Sequence, residues 1–244
     1  MRMIPANAQH VGARHEQQDA FGFTDIDQAT FVAHGGVLAV VADGMGGLEM
    51  GGPSSRCAVH TILTTYAAKS PEVPISEVLA RALQHANASV LRLADEAGYR
   101  GGVGTTVVAA VIHKGELHWV AVGDSRLYLY RQGELTQLTS DHSFAVELDR
   151  AVERGDLTQE EANRHPERRS LTSYVGIPVL HAIEASPTPL LLQSGDRILL
   201  CAAMVSMARL MNTRWPWPWM RARLKWRTSL SRGHWISSMR IRTI

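Results

Sequence analysis

Two helix-patterned blocks precede a block of short β-rich runs, and that separation favours segregated helices and strands over alternating βαβ units. Ala58, Val59, Ile62, Leu63 and Tyr66 fall on one face of a helix opened by Pro53, proline being favoured at the first helical position. The segment around Pro71 and Pro74 ends it. A second helix starts near Ser76, a suitable N-cap, and carries Leu79, Leu83, Ala86, Val90 and Leu93 at helical spacing as far as Gly98. From Thr105 the period becomes that of strands. Thr105–Ile112, Leu117–Val122 and Leu127–Tyr130 are separated by Lys114-Gly115 and by the Gly123–Arg126 turn, with Gln132-Gly133 closing the third, which predicts an antiparallel meander. Val37–Val41 reads as a buried strand leading into Asp43-Gly44, Ala145–Arg164 as a polar helical excursion near the site, and Arg197–Cys201 as one more buried strand. The expected class is α+β, with helices on sheet faces.

A chain of 244 residues, 45% hydrophobic and 20% charged, is long enough for one domain with a substantial core. Met1–His10 lacks the apolar core of a signal peptide, and no stretch reaches membrane-spanning length. The expectation is a cytoplasmic protein with no membrane span. Cys57 and Cys201 are too few for a disulfide framework and wrongly spaced for zinc, so they read as buried thiols. Nine of the 25 Lys and Arg follow Cys201 while all 23 Asp and Glu precede it, leaving residues 1–201 with 16 bases against 23 acids, a formal −7. An acidic body argues against a nucleic-acid partner.

The candidate chemistry lies in short motifs met in order: Arg14-His15-Glu16-Gln17-Gln18-Asp19, Asp43-Gly44-Met45-Gly46-Gly47, Gly104-Thr105-Thr106, Gly123-Asp124-Ser125-Arg126, Asp141-His142 and Gly195-Asp196-Arg197. Asp19, Asp43 and Asp124 stand beside glycines or at strand ends, where carboxylates can converge on one sheet edge. Oxygen donors without His or Cys at metal spacing favour Mg²⁺ or Mn²⁺ over zinc. Arg14, five residues before Asp19, could grip two phosphoryl oxygens. Taken singly, each signal has a plainer explanation. An Asp-Gly is most often a turn, Gly123–Arg126 a hairpin connection, Arg14 a solvated cation, and His142 a cap for the next helix. Glu16 reads as exposed; His10, His34, His60 and His85 show no ligand spacing and read as structural.

The ordered set changes those odds. Together the motifs closely resemble the bacterial metal-dependent protein phosphatases of the PPM type, also called type 2C, from Gly12 to Cys201. The resemblance implies a central antiparallel β-sandwich flanked by helices, in an α-β-β-α arrangement. It implies two Mg²⁺ or Mn²⁺ ions holding a bridging hydroxide that attacks phosphoserine or phosphothreonine directly, with no phosphoenzyme. On that likeness Asp43 bridges the two metals, the Gly44 carbonyl binds one of them, Asp19 organises the site through bound water, Asp124 serves a weaker third ion, and Arg14 grips the phosphate. The implied partners are phosphoproteins made by a bacterial serine/threonine kinase. Gln17 and Gln18 stand where many members carry Asn and Glu, and Met45 where some eukaryotic members carry a His thought to act as general acid.

The pattern then breaks off. Family members continue with Ser-Asp-Gly-Leu and later an Asp-Asn, both aspartates binding the metal pair, whereas this chain reads Cys201-Ala202-Ala203-Met204-Val205-Ser206-Met207-Ala208. No Asp or Glu follows Asp196, an outcome with a chance probability well below ~1% at ordinary acidic content. Back-translation from the third base of each codon forces Gly at Met204-Val205 and again at Met207-Ala208, and permits Ser-Asp-Gly-Leu-Tyr-Gly. The expectation is a frameshift near Ala202: residues 1–201 a phosphatase domain incomplete at its C-terminus, residues 202–244 a basic, Trp-rich tail that is not natively folded, and activity impaired. One alternative is a non-catalytic pseudophosphatase that binds phosphoproteins. A separate alternative for the tail is that Trp215-Pro216-Trp217-Pro218-Trp219 and the Arg-rich stretch contact an anionic membrane or nucleic acid.

Overall fold

The structure, a computed structural model, describes residues 2–9, 16–45, 47–99, 101–180, 182–202 and 235–242. Two antiparallel sheets form its centre. The larger holds β2 (Asp19–Phe23), β3 (Val37–Met45), β5 (Val107–His113), β6 (Glu116–Val122) and β10 (Leu190–Leu191), with β4 (Gly104–Thr105) pairing the end of β3 and β9 (Glu184–Ala185) pairing β6. The smaller is ordered β1 (Arg2–Ala8), β12 (Trp235–Arg242), β11 (Arg197–Ala202), β7 (Arg126–Arg131) and β8 (Glu134–Gln137). The helices are α1 (Ala29–Gly35), α2 (Gly47–Ala67), α3 (Ile75–Glu96), α4 (Phe144–Arg154) and α5 (Gln159–Arg164).

Strand alternation explains the layering, because successive side chains point to opposite faces. Val37, Ala39 and Val41 of β3 join Val108, Ala110 and Ile112 of β5 and meet Leu127, Leu129, Ile198 and Leu200 of the second sheet. Leu38, Val40 and Ala42 face the other way, onto Ala58, Ile62 and Tyr66 of α2 and Leu79, Leu83 and Val90 of α3. Each such buried aliphatic side chain contributes about 1.5–3 kcal/mol through removal from water. Both faces of the larger sheet are therefore dry, which is why β3 and β5 are continuous apolar runs.

The α+β class and the sandwich stand as expected, but four local readings are corrected. Helix α2 begins at Gly47, with Pro53 inside it. Tertiary contacts hold the early turn: Met50 is buried, and the Ser55 hydroxyl donates to the Gln18 carbonyl at 2.6 Å. Helix α3 begins at Ile75 with Pro74 at the cap position and no side-chain cap, so Ser76 is a helical residue. The polar excursion is two helices, divided where Gly155 takes a left-handed conformation. The meander does not extend to its third strand. β5 and β6 pair as a hairpin, but β7 leaves that sheet and pairs with β8 and β11. Gly123–Arg126 is thus a crossing between sheets, because Leu127 and Leu129 bury themselves against the opposite layer. Among the described residues, no helix is long and apolar enough to cross a membrane.

Candidate active site

The candidate residues collect where β3 leaves the sandwich. Asp19 and Asp43 are register partners across the antiparallel β2–β3 pair. Both belong to the odd-numbered row that includes Phe21, Val41 and Ala39, the row facing the second sheet. Directly opposed side chains on one face have Cβ atoms ~4.5–5.5 Å apart, and like charges so placed repel. The pairing therefore brings two carboxylates together where a cation would relieve them.

Gly44, on the opposite side of the strand, is locked in place. A Cβ there would lie 1.9 Å from the Gly51 carbonyl oxygen and 2.6 Å from that of Gln18. The Gly44 N–H donates to the Gln18 carbonyl at 3.1 Å. Only glycine lets the N-terminal turn of α2 approach β3 so closely.

Asp124 lies on the crossing turn. Burial, then the negative charges of Asp43 and Asp141, push its pKa up to about 6, as desolvation and like charge both disfavour a carboxylate. Asp43 and Asp124 thus share one electrostatic environment although they belong to different structural layers. The turn is pinned on both sides. Gly123 has φ +97°, and a Cβ on it would fall 2.6 Å from the Thr106 methyl. His142 accepts the Gly123 N–H through Nδ1 at 3.2 Å and donates its own N–H to the Gly123 carbonyl at 2.9 Å. The Nδ1 acceptor role requires the Nε2–H tautomer, and burial lowers the pKa of this imidazole. His142 is not a helix cap, since Ser143 occupies that position before α4.

Asp141 and Arg126 form a bidentate pair at 2.7 and 2.5 Å. Burial opposes the Arg126 charge, but its hydrogen bonds to Asp141 outweigh that and raise its pKa above the ordinary value. This guanidinium is committed to the protein. Asp196 is committed likewise: it is buried, holds Arg131 at 3.0 and 2.6 Å, and accepts the Gln193 N–H. Of the motif aspartates, Asp196 is structural. Arg14 lies outside the described residues.

Family model matching and relatives agree on the class. The Protein phosphatase 2C family matches residues 7–180. The chain belongs to that family. Within the type 2C phosphatases it is 32% identical over 193 residues to the serine/threonine phosphatase stp of Listeria welshimeri, covering 78% of this chain and 72% of that protein. It is 33% identical over 196 residues to the serine/threonine protein phosphatase PstP of Mycobacterium tuberculosis, covering 78% of this chain and 35% of that one. Among solved structures, the S. agalactiae serine/threonine phosphatase superimposes with TM-score 0.75 over 99% of this chain and 100% of that one at 24% identity, a likeness of fold. The PPM phosphatase MsPP of Mycobacterium smegmatis, in complex with cacodylate, gives TM-score 0.68 at 27% identity over 100% and 99% of the two chains. The type 2C family is enzymatic and metal-dependent.

The donor chemistry here suits a hard divalent ion, being oxygen-only and negatively charged. The close Gly44 cradle and the opposed Asp19 and Asp43 agree with that choice. In number the fit falls short of a pair of ions: among the described residues, no three His, Cys, Asp or Glu side chains are grouped to hold one. Thr106, Ser125, Arg126 and Asp141 are the supporting residues that pattern reading missed as individuals, although the Gly-Thr-Thr, Gly-Asp-Ser-Arg and Asp-His motifs contain all four.

Proposed function

We propose that this chain is a protein serine/threonine phosphatase that hydrolyses phosphoserine and phosphothreonine with Mg²⁺ or Mn²⁺, and that its activity is impaired after Cys201. The observation that carries the reading is the opposition of Asp19 and Asp43, with Asp124 in the same field. When bound, the ions supply a nucleophilic hydroxide at neutral pH and neutralise phosphoryl charge. Asp43 and the Gly44 carbonyl would be direct ligands, Asp19 would hold bound water in position, and Asp124 would serve a weaker ion. Arg14 would orient the phosphate through two parallel hydrogen bonds. The substrates are phosphoproteins of a bacterial serine/threonine kinase, and the setting is cytoplasmic.

On this reading residues 1–201 are the phosphatase domain and 202–244 an out-of-frame tail, of which Trp235–Arg242 nonetheless pairs with β1 and β11. The absence of any Asp or Glu after Asp196 supports a loss of ligands, and it also favours the second reading, a pseudophosphatase that retains phosphoprotein binding. Mn²⁺-dependent phosphate release from a phosphothreonine peptide tests both. The expected order is a chain restored to the Ser-Asp-Gly frame fastest, the present chain slow, and Asp43→Asn inactive. Equal rates for the first two would remove the impairment. An inactive restored chain that still binds the peptide would favour the second reading. Sequencing codons 195–210 tests the frameshift directly: nucleotides that cannot encode Asp-Gly in another frame exclude it.

A further inference from the structure

The two halves of the site are joined by a pair of hydroxyls. Thr106 Oγ1 accepts the Asp43 N–H at 3.0 Å, and the Thr106 N–H donates back to the Asp43 carbonyl at 2.9 Å. That carbonyl also accepts the Thr105 hydroxyl at 2.9 Å. Thr106 Oγ1 in turn lies 2.6 Å from Ser125 Oγ, one residue beyond Asp124 on the crossing turn. Thr105, Thr106 and Ser125 are 0, 3 and 1% exposed, so water does not compete for these bonds.

We propose that Thr106 is a positioning residue: its hydroxyl, acting with Ser125, sets Asp43 against the turn that carries Asp124 and so holds the two carboxylates in working register. This rests on the phosphatase reading. A hydroxyl is required because one oxygen must accept from the Asp43 amide while engaging a second hydroxyl, and a hydroxyl has lone pairs and a proton for both. The Thr106 methyl has the separate task of packing on Gly123.

The full chain carrying Thr106→Val, Thr106→Ser or Ser125→Ala tests this, with amide hydrogen exchange at Asp43 and phosphothreonine-peptide kinetics in Mn²⁺ as readouts. Valine keeps the shape and removes the acceptor. Asp43 exchange should quicken about tenfold, and kcat should fall roughly 10- to 100-fold with KM within about twofold. Thr106→Ser should restore both. Ser125→Ala should lower kcat several-fold while Asp43 stays protected, and this variant decides the matter if Thr106→Val does not fold. Unchanged kcat in Ser125→Ala, or Thr106→Ser as impaired as Thr106→Val, overturns the proposal. Failure of the unaltered chain to hydrolyse the peptide sinks the phosphatase reading instead; the exchange measurement then stands alone, and unchanged Asp43 exchange in Thr106→Val rejects the hydroxyl link independently.

Discussion

Asp19 and Asp43 oppose each other across two antiparallel strands, on the face that looks into the sandwich. Like charges so opposed disfavour each other, which separates stability from activity in a measurable way.

Asp43→Asn should abolish Mn²⁺-dependent hydrolysis while raising metal-free stability by about 0.2–1 kcal/mol, the usual range for relieving a cross-strand clash of charge. Urea unfolding in chelator, paired with phosphopeptide assays, reads both. A variant that loses stability and keeps activity contradicts the assignment.

Asp124 gives a pH signature in the metal-free chain. Its folded pKa of about 6 lies above the ordinary carboxyl value of 3.8, so between these values the folded state holds a proton that the unfolded state has released. Stability contributed by that proton is present below about pH 4 and is lost as pH rises through about 6, by up to roughly 3 kcal/mol. Asp124→Asn should flatten this slope. Denaturant midpoints taken from pH 4 to 7 in chelator are the check.

Gly44→Ala should destabilise by about 2 kcal/mol or more, because the new methyl meets backbone oxygen at 1.9 Å and 2.6 Å rather than a movable side chain. Thermal unfolding measures this. Gly133→Ala provides a contrast, since nothing lies within 4 Å of a Cβ there and only the cost of φ +92° remains.

Asp141→Asn should break the bidentate pair and leave Arg126 buried with half its partners. Removing one member of a buried ion pair costs about 3–5 kcal/mol; with side-chain exposures of 21% for Arg126 and 10% for Asp141, the lower end is expected. Replacing Arg126 and Asp141 together by Met and Leu should cost less than Asp141→Asn alone, as an equilibrium unfolding comparison would reveal.

How far the sequence foretells this molecule depends on the range over which each feature is encoded. The faces of α2 and α3 are legible because apolar spacing is local, and β3 because six successive apolar residues, Val37–Ala42, end in Asp43-Gly44. The start of α2 is not, since contacts from Met50 and Ser55, rather than Pro53, decide it. The crossing at Gly123–Arg126 looks like a hairpin because nothing near it states that Leu129 will pair with Ile198. At the site, the aspartates announce themselves through their glycines. The Thr106–Ser125 contact does not, since hydroxyls are common and only the folded register brings these two together. Arg14 and the Trp-rich stretch fall outside the described residues.

The strand order β1-β12-β11 has a consequence for biosynthesis. Arg2 pairs with Arg242 and Ala8 with Ile236, so β1 docks beside a strand translated long after it. The smaller sheet therefore cannot close until β12 has been synthesised, and β1 must wait for it.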